Sequence, residues 1–281
     1  MSDSESRPGP WARLPVALRA VISGLAVGLI AANVWSVLLL TVGGVAAPVI
    51  EAGFLVAYVW WAGGRGPPRS TVPARCRAFR ATTLSPAAWL YGLIAAVAFA
   101  ASVHAAIVIL FRLVPFPAAD FHKGYDLSAM GAPWLQWVIV VVSATSAGVC
   151  EETGFRGYMQ QPLEARYGPK AAILVSAIFF TLLHLNKGWA TIGMVPIVLG
   201  AGGLLGAMAW ASRSLIPCII GHTLMDIGLF AYWWTQIAGT FTGRPIGQTG
   251  IDAPFLAAAA IFAVSLALCL TCIWRLRRVT T

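Results

Sequence analysis

Long apolar stretches recur along the whole chain and constrain its fold more than any other feature. A helix that crosses the hydrocarbon core of a bilayer needs about 20 mostly apolar residues. We therefore predict an all-α fold, in which residues 1–281 form a single integral membrane domain, a polytopic bundle of about eight transmembrane helices. The eight predicted spans are Ala20–Val42, Ala46–Ala62, Pro86–Leu110, Pro133–Cys150, Ala171–Leu185, Ala190–Ala211, Leu215–Trp234 and Pro254–Trp274.

Charged residues are too few for a soluble protein of this size. They make up 10% of the 281 residues, whereas hydrophobic residues make up 59%. Soluble domains are on average about a quarter charged, so we take the lipid bilayer as the solvent for folding. The net charge of +9 would suggest a nucleic-acid partner for a soluble protein. Because basic residues also gather in the cytoplasmic loops of membrane proteins, we expect no nucleic acid.

The basic residues predict how the spans are oriented. With the N-terminus placed in the cytoplasm, fifteen of the 19 Lys and Arg residues fall on the cytoplasmic side and four on the outer side. The outer four are Arg112, Lys123, Lys187 and Arg244. This asymmetry follows the positive-inside rule and predicts that both termini are cytoplasmic. Since no short cleavable signal is apparent, a multi-pass protein of a bacterial inner membrane fits best.

Ionisable side chains inside the apolar stretches are the strongest indication of function. Each costs roughly 2.5–3.5 kcal/mol at the centre of a membrane helix, so each needs a partner or a role. We predict structural roles for two of them, Glu51 and His104. The remaining six lie between residues 151 and 226: Glu151, Glu152, Arg156, His184, His222 and Asp226.

The first polar pattern follows the fourth apolar stretch. Glu152 and Arg156 are four residues apart, so they share one helix face with the carboxylate on the N-terminal side, the favourable order. Glu151 lies about 100° around the helix and can face a different neighbour. Taken alone, the Glu–Arg pair is explained equally well as a solvated pair where a helix leaves the membrane.

Two further patterns lie in the helices that follow. Phe180 and His184 are four residues apart, and so are His222 and Asp226. A single membrane histidine more often forms a hydrogen bond with a neighbouring helix than takes part in catalysis, and such a bond would also explain the second pair. An aspartate in an apolar stretch nevertheless needs a proton, a cation or a donor nearby.

Together, the three patterns suit a hydrolytic site. A carboxylate and an imidazole can hold and deprotonate a water. A second imidazole and Asp226 can stabilise a developing oxyanion, directly or through a metal, and His and Glu ligands would suit zinc. For these groups to meet, the fourth helix must continue past Cys150, and we predict that it runs to about Glu164.

The ordered trio resembles the CPBP family, which comprises the type II CAAX prenyl endopeptidases and the bacteriocin-processing or ABI proteins. The family pattern is EExxxR, then FxxxH, then HxxxN or HxxxD, each on a membrane helix. The matching segment runs from Ser143 to Gly228, so we predict a catalytic core over residues 143–228. The family's last motif residue is usually Asn, and Asp226 takes its place here.

The resemblance implies an eight-helix core and an intramembrane endopeptidase of the glutamate or metallo type. Glu151 and His184 would activate the water, and His222 and Asp226 would bind the oxyanion. If the mechanism uses a divalent metal such as zinc, its ligands would be Glu151, His184 and His222. The other motif residues would support the site: Glu152, Arg156 and Phe180.

The partners implied are membrane lipid and a peptide or protein substrate at the membrane, such as a prenylated CAAX-type tail. No cofactor is assigned apart from this optional metal. An alternative is a non-catalytic membrane protein on the same fold, such as an immunity factor, scaffold or transport component, whose polar residues serve packing or proton movement. A haem protein with His184 and His222 as axial ligands is a third interpretation.

Overall fold

The protein is almost entirely helical. The computed structural model describes residues 10–42, 44–123, 126–127, 130–185 and 189–281. It is 81% helical, and no strand occurs among these residues. Arg7 and Lys187, which both enter the charge count above, lie outside the described residues.

Each predicted span corresponds to a helix. The principal helices are α1 (Val16–Thr41), α2 (Ala46–Ala62), α3 (Val72–Phe79), α4 (Pro86–Leu113), α5 (Pro133–Glu152), α6 (Gln161–Tyr167), α7 (Pro169–Leu183), α8 (Trp189–Ser212), α9 (Ile216–Gly228) and α10 (Ala253–Thr280). A π-helical segment at Thr153–Gln160 joins α5 to α6, and another at Leu229–Trp234 extends α9. Short helical turns occupy Pro10–Arg13, Arg69–Thr71, Ala118–His122 and Ile246–Thr249.

The helices form a polytopic membrane bundle, as predicted. Five helical stretches are long and apolar enough to cross a bilayer: Pro86–Leu113, Pro133–Tyr167, Ile192–Ser212, Ile216–Trp234 and Ala253–Thr280. Three shorter apolar helices accompany them: Val16–Ile30, Ala46–Ala62 and Pro169–Leu183. The fold class is therefore confirmed, whereas the count of eight crossings stays a prediction.

Large apolar side chains cover the outside of the bundle as well as its interior. Ile30 is 71% exposed, Val56 is 70% exposed and Val264 is 68% exposed. A soluble monomer rarely shows such large contiguous apolar surfaces, whereas lipid acyl chains cover them in a bilayer. The main buried core lies among α4, α8, α9 and α10, and Phe99 and Leu205 are completely enclosed in it.

The fourth span continues well beyond its predicted membrane end. Helix α5, the π-helical segment and α6 form one helical stretch from Pro133 to Tyr167, which confirms the predicted extension to about Glu164. The extension is buried where it meets α1, because Gly154 packs directly on Gly28. A Cβ atom added to Gly154 would lie 2.6 Å from the Gly28 Cα. Close glycine packing therefore holds the polar end of α5 inside the bundle.

Candidate active site

The ionisable residues of the three sequence patterns come from three different helices. Glu151 and Glu152 end α5, and Arg156 lies in the π-helical segment that follows. His184 caps the C-terminal end of α7, and His222 and Asp226 lie on α9. Helix α5 packs against α9, and the π-helical segment packs against α7.

Glu152 lies at the centre of the cluster. Its side chain is 0% exposed, and its Oε1 atom is 3.0 Å from Nη1 of Arg156. The same oxygen is 2.8 Å from Nδ1 of His222. A buried carboxylate needs partners of this kind, because removal from water is costly for an unpaired charge. The ion pair predicted from the i, i+4 spacing is present, and Glu152 also bridges α5 to α9.

The second ring nitrogen of His222 faces two further carboxyl groups. Nε2 is 3.4 Å from Oδ2 of Asp226 and 4.0 Å from Oε2 of Glu151. An ionised carboxylate only accepts hydrogen bonds, so His222 donates its Nδ1–H to Glu152. Nε2 lies near enough to Asp226 for a hydrogen bond, whereas 4.0 Å is too long for one to Glu151. The arrangement can therefore hold a proton at Nε2 beside Asp226.

His184 lies at the C-terminal end of α7, where its ring is fixed by its own helix. Nδ1 is 2.7 Å from the carbonyl oxygen of Phe180. Because a carbonyl oxygen can only accept, Nδ1 carries a proton, and in the neutral ring Nε2 is the acceptor. Nε2 of His184 is thus the ring nitrogen available as an acceptor.

The phenyl ring of Phe180 separates the two imidazoles. Its centroid is 4.5 Å from that of His184 and 5.8 Å from that of His222. The guanidinium carbon of Arg156 lies 4.7 Å from the centre of the same ring. Phe180 is buried, so it excludes water from one side of the histidines and stacks on the arginine.

Two residues on the π-helical segment tie the site to α8. Arg156 donates from Nη2 to the carbonyl oxygen of Gly202 over 3.0 Å, and Gln160 donates from Nε2 to that of Gly206 over 2.9 Å. Sequence analysis did not identify Gln160. The only available signal was its i, i+4 spacing from Arg156, which matches the spacing of the two glycines on α8.

A second ion pair, between Arg80 and Glu164, lies next to Arg156 and Gln160. Arg80, at the end of α3, donates to the carbonyl oxygen of Arg156 over 3.2 Å and forms an ion pair of 3.4 Å with Glu164. Glu164 also accepts a hydrogen bond of 2.6 Å from Gln160. Arg80 was counted only as a loop cation in the sequence, since nothing local indicates that it reaches the π-helical segment.

The cluster was also compared with the requirements of a metal centre. In the part of the chain that the structure describes, no group of three His, Cys, Asp or Glu side chains has the arrangement that would hold a metal ion. Nδ1 of His222 and Nδ1 of His184 are both engaged in hydrogen bonds. The metal ligand set Glu151, His184 and His222 stays a prediction.

The comparisons with known proteins point to the same part of the chain. Residues 133–228 match the model of a family described as type II CAAX prenyl endopeptidase Rce1-like. Neither the comparison with curated proteins nor that with solved structures gave a match. The matched segment begins with α5, ends with α9 and includes every residue of the cluster. Residues 133–228 are thus similar to the type II CAAX prenyl endopeptidase Rce1-like family.

Proposed function

We propose that the protein is a membrane-embedded endopeptidase that hydrolyses a peptide bond in a membrane-associated substrate by means of a water activated by Glu151 and His184. The observation that carries this proposal is the position of His222, which is held by Glu152 on one side and faces Glu151 and Asp226 on the other. The family match over residues 133–228 supports the same class of reaction.

Glu151 is the proposed general base. Its side chain is 17% exposed, the largest exposure among the carboxylates that face His222. Its Oε2 atom is buried and has no hydrogen-bond partner among the described residues, so a water enclosed in the site would supply the bond that this oxygen lacks. In the reaction the carboxylate takes a proton from the water, and the water oxygen forms a bond to the scissile carbonyl carbon. Nε2 of His184 accepts the second hydrogen of the water and orients it.

His222 and Asp226 are the proposed partners of the oxyanion. As the carbonyl oxygen gains negative charge, a proton held between Nε2 of His222 and Oδ2 of Asp226 can be donated to it as a hydrogen bond. When the C–N bond breaks, Glu151 returns its proton to the leaving amine. Glu152 and Arg156 make no contact with the substrate in this scheme, and they hold the His222 ring in place.

A cavity beside α5 supports a substrate with an apolar portion. It has a volume of about 860 Å³, and apolar side chains from α2, α3 and α5 line it. Val149 of α5 forms part of its wall, about 200° around the helix from Glu151, and Arg65 and Arg80 are the charged groups that line it. We propose that this cavity receives the lipid or hydrophobic part of a substrate such as a prenylated CAAX-type tail.

The basic residues support the proposed orientation. Three arginines at the end of α10 (Arg275, Arg277 and Arg278) and Arg213, which follows α8, lie at helix ends that the charge count assigns to the cytoplasm. We propose a multi-pass protein of a bacterial inner membrane with both termini in the cytoplasm. Within a single domain of residues 1–281, residues 143–228 would be the catalytic core.

Cleavage of defined peptides tests the proposal. The purified protein is incubated in detergent with quenched fluorescent peptides, one carrying a farnesylated CAAX tail and one with the same sequence unmodified. Glu151→Gln should reduce the rate by about 10²–10⁴-fold, the usual contribution of a general base. The matched control is Glu51→Gln, which alters another buried membrane glutamate. Glu51 accepts a hydrogen bond from Ser143 over 3.2 Å, and an amide oxygen can preserve it.

The outcomes separate the alternatives. Cleavage that is lost in Glu151→Gln and kept in Glu51→Gln, with both proteins folded, supports the protease. Cleavage that persists in Glu151→Gln removes Glu151 from the mechanism. Absence of cleavage of both peptides by the wild type would favour a non-catalytic protein. Faster cleavage of the farnesylated peptide than of the unmodified one would support the proposed use of the cavity.

A further inference from the structure

His104, on α4, uses both ring nitrogens to contact the helix that carries two of the site residues. Nε2 is 3.1 Å from the carbonyl oxygen of Met225, and Nδ1 is 3.3 Å from Nε1 of Trp233. Met225 belongs to α9, and Trp233 belongs to the π-helical segment that follows it. The imidazole therefore connects α4 to both parts of this helical stretch.

These two contacts select one form of the ring. An indole N–H is only a donor and a carbonyl oxygen is only an acceptor. Nδ1 of His104 must therefore accept from Trp233, and Nε2 must donate to Met225. Only the neutral tautomer with its proton on Nε2 satisfies both contacts, because a proton on Nδ1 would face the indole N–H.

The surroundings of His104 are shaped around the ring. A Cβ atom added to Gly228 would overlap the imidazole, so the glycine provides the space that the ring occupies. Trp233 is 1% exposed and packs within the main core. With a glycine on one side and a fixed donor on the other, the imidazole has one position in which both hydrogen bonds form.

The bonded carbonyl lies within the site helix itself. Met225 directly precedes Asp226 and lies three residues, less than one turn, after His222. A shift or rotation of this turn would change the separation of Nε2 of His222 from the carboxyl groups it faces, now 3.4 Å for Asp226 and 4.0 Å for Glu151. Misplacement of a catalytic group by about 1 Å can cost roughly 10²-fold in rate.

We propose that His104 is a positioning residue, which is held as the Nε2–H tautomer by Trp233 and sets the orientation of the α9 turn that carries His222 and Asp226. The expected effect of His104 on the reaction rate rests on the proposed peptidase function, whereas its expected effect on the α9 turn does not. His104 touches neither the substrate nor the reacting water in this scheme.

Three variants test the kinetic consequence. His104→Leu removes the donor to Met225 and should lower kcat by roughly 10–100-fold with little change in KM. His104→Gln places an amide N–H near the position of Nε2 and should recover most of kcat. His122→Leu is the matched control, since His122 bonds to Gln236, which lies beyond α9 and its π-helical extension. Equal losses of kcat in the Leu and Gln variants, or a change in KM alone, would overturn the proposal.

Nitrogen-15 NMR tests the structural consequence without any substrate. The chain has four histidines, so each His→Gln or His→Leu variant assigns its own signals. The wild type should show His104 as a neutral ring protonated at Nε2, and Trp233→Phe should remove this preference. The His222 signals should shift in His104→Leu and return towards wild type in His104→Gln.

A His104 ring protonated at Nδ1 would contradict the positioning role. So would His222 chemical shifts that are unchanged in His104→Leu. If the wild type cleaves no peptide, the peptidase proposal fails, while the NMR signals still decide whether His104 positions α9.

Discussion

Glu152 and His222, which are 70 residues apart in the chain, are joined by a hydrogen bond of 2.8 Å between Oε1 and Nδ1. The same Oε1 atom lies 3.0 Å from Nη1 of Arg156, and both side chains of this ion pair are 0% exposed. One carboxylate thus neutralises a buried arginine and also holds the His222 ring. Its loss should affect folding stability and catalysis through different partners.

The first prediction concerns Glu152→Gln. The amide keeps the shape of the side chain but leaves the buried Arg156 without its counter-charge. Breaking a buried pair by removal of one partner costs about 3–5 kcal/mol, so the midpoint of thermal unfolding should fall strongly. Peptide cleavage should fall as well, because the neutral amide holds the imidazole of His222 less firmly. Thermal unfolding and the cleavage assay, both in the same detergent, provide the two readouts.

A double variant separates the two effects. In Glu152→Gln/Arg156→Met neither charge remains, and replacement of a buried pair by apolar groups is often close to neutral. The unfolding midpoint should therefore recover much of its loss, while the cleavage rate should stay low. Unfolding of Glu152→Gln at the wild-type temperature would show that the pair does not stabilise the fold.

Much of the local structure could be predicted from sequence periodicity. The apolar stretches have the length of membrane helices, and each forms a helix in the structure. The i, i+4 spacing predicted the contact between Glu152 and Arg156, which the structure confirms. The need for the polar groups to meet predicted that the fourth helix runs to about Glu164, and the helical stretch continues to Tyr167. These features depend on residues that are near one another in the chain.

The contacts between helices could not be predicted in the same way. Nothing in the sequence near Glu152 indicates that it holds His222, because that contact depends on how α5 and α9 pack. The change from α-helix to π-helix after Glu152 also alters the angular step per residue. The α-helical wheel places Gln160 near Arg156 but therefore does not show that the pair faces α8. A structural role was predicted for His104, but its partners were not, since they are backbone and indole groups of another helix.

The second prediction concerns the close contact between α1 and the extension of α5. A Cβ atom at Gly154 would lie 2.6 Å from both Cα and N of Gly28 and 2.7 Å from the carbonyl oxygen of Gly24. Because these are backbone atoms, α1 must move to accommodate Gly154→Ala. Overpacking of this kind costs about 1–3 kcal/mol, and the unfolding midpoint should fall accordingly.

Gly203→Ala is the matched control for Gly154→Ala. Gly203 lies within α8, and a Cβ atom added there meets no other atom within 4 Å. Alanine is also the better helix former by about 1 kcal/mol, so this variant should unfold at or above the wild-type temperature. Equal midpoints for the two variants would show that the contact between α1 and the π-helical segment does not limit stability.

The third prediction concerns Arg75, which is almost fully buried on α3. Its guanidinium is 4.8 Å from the centre of the Trp61 ring and donates to four backbone carbonyl groups, those of Trp61, Arg65, Gly66 and Pro68. The planar fork of arginine can span several acceptors, and a lysine ammonium cannot reproduce it. In Arg75→Lys the loop before α3 should therefore open more often.

Trypsin measures this opening, since the loop contains Arg65 and Arg69. Loss of hydrogen bonds to a charged group costs about 1.5–3 kcal/mol each, so cleavage after these two arginines should be at least roughly 10-fold faster in Arg75→Lys. Arg77→Lys is the control, because Arg77 is exposed on the same helix and the substitution preserves the number of trypsin sites. Equal cleavage rates in both variants would show that Arg75 does not hold the loop.

The last prediction concerns pH and the ion pair at the start of α10. Arg112 donates from Nη2 to Oδ2 of Asp252 over 2.8 Å, and the backbone N–H of Phe255 donates to Oδ1 over 3.1 Å. The Arg112 hydrogen bond, followed by that of Phe255, lowers the pKa of Asp252 below its ordinary value of 3.8. A carboxyl group with a lowered pKa in the folded state stabilises the fold above the unfolded pKa, and this contribution is lost as the pH falls through the folded value.

Asp252→Asn removes the charge but keeps an oxygen that can cap α10. Its unfolding midpoint should therefore lie below that of the wild type at pH 7, and the difference should shrink as the pH falls below 3.8, where the wild-type carboxyl also becomes neutral. The Asp252 side chain is 33% exposed, so 1 M salt should reduce the difference at pH 7. A difference that stays constant from pH 7 to strongly acidic pH would show that the ionised carboxylate does not contribute to stability. Arg112 would then hold the segment before α10 through its other two hydrogen bonds, to the carbonyl oxygen of Arg244 and the hydroxyl group of Thr249.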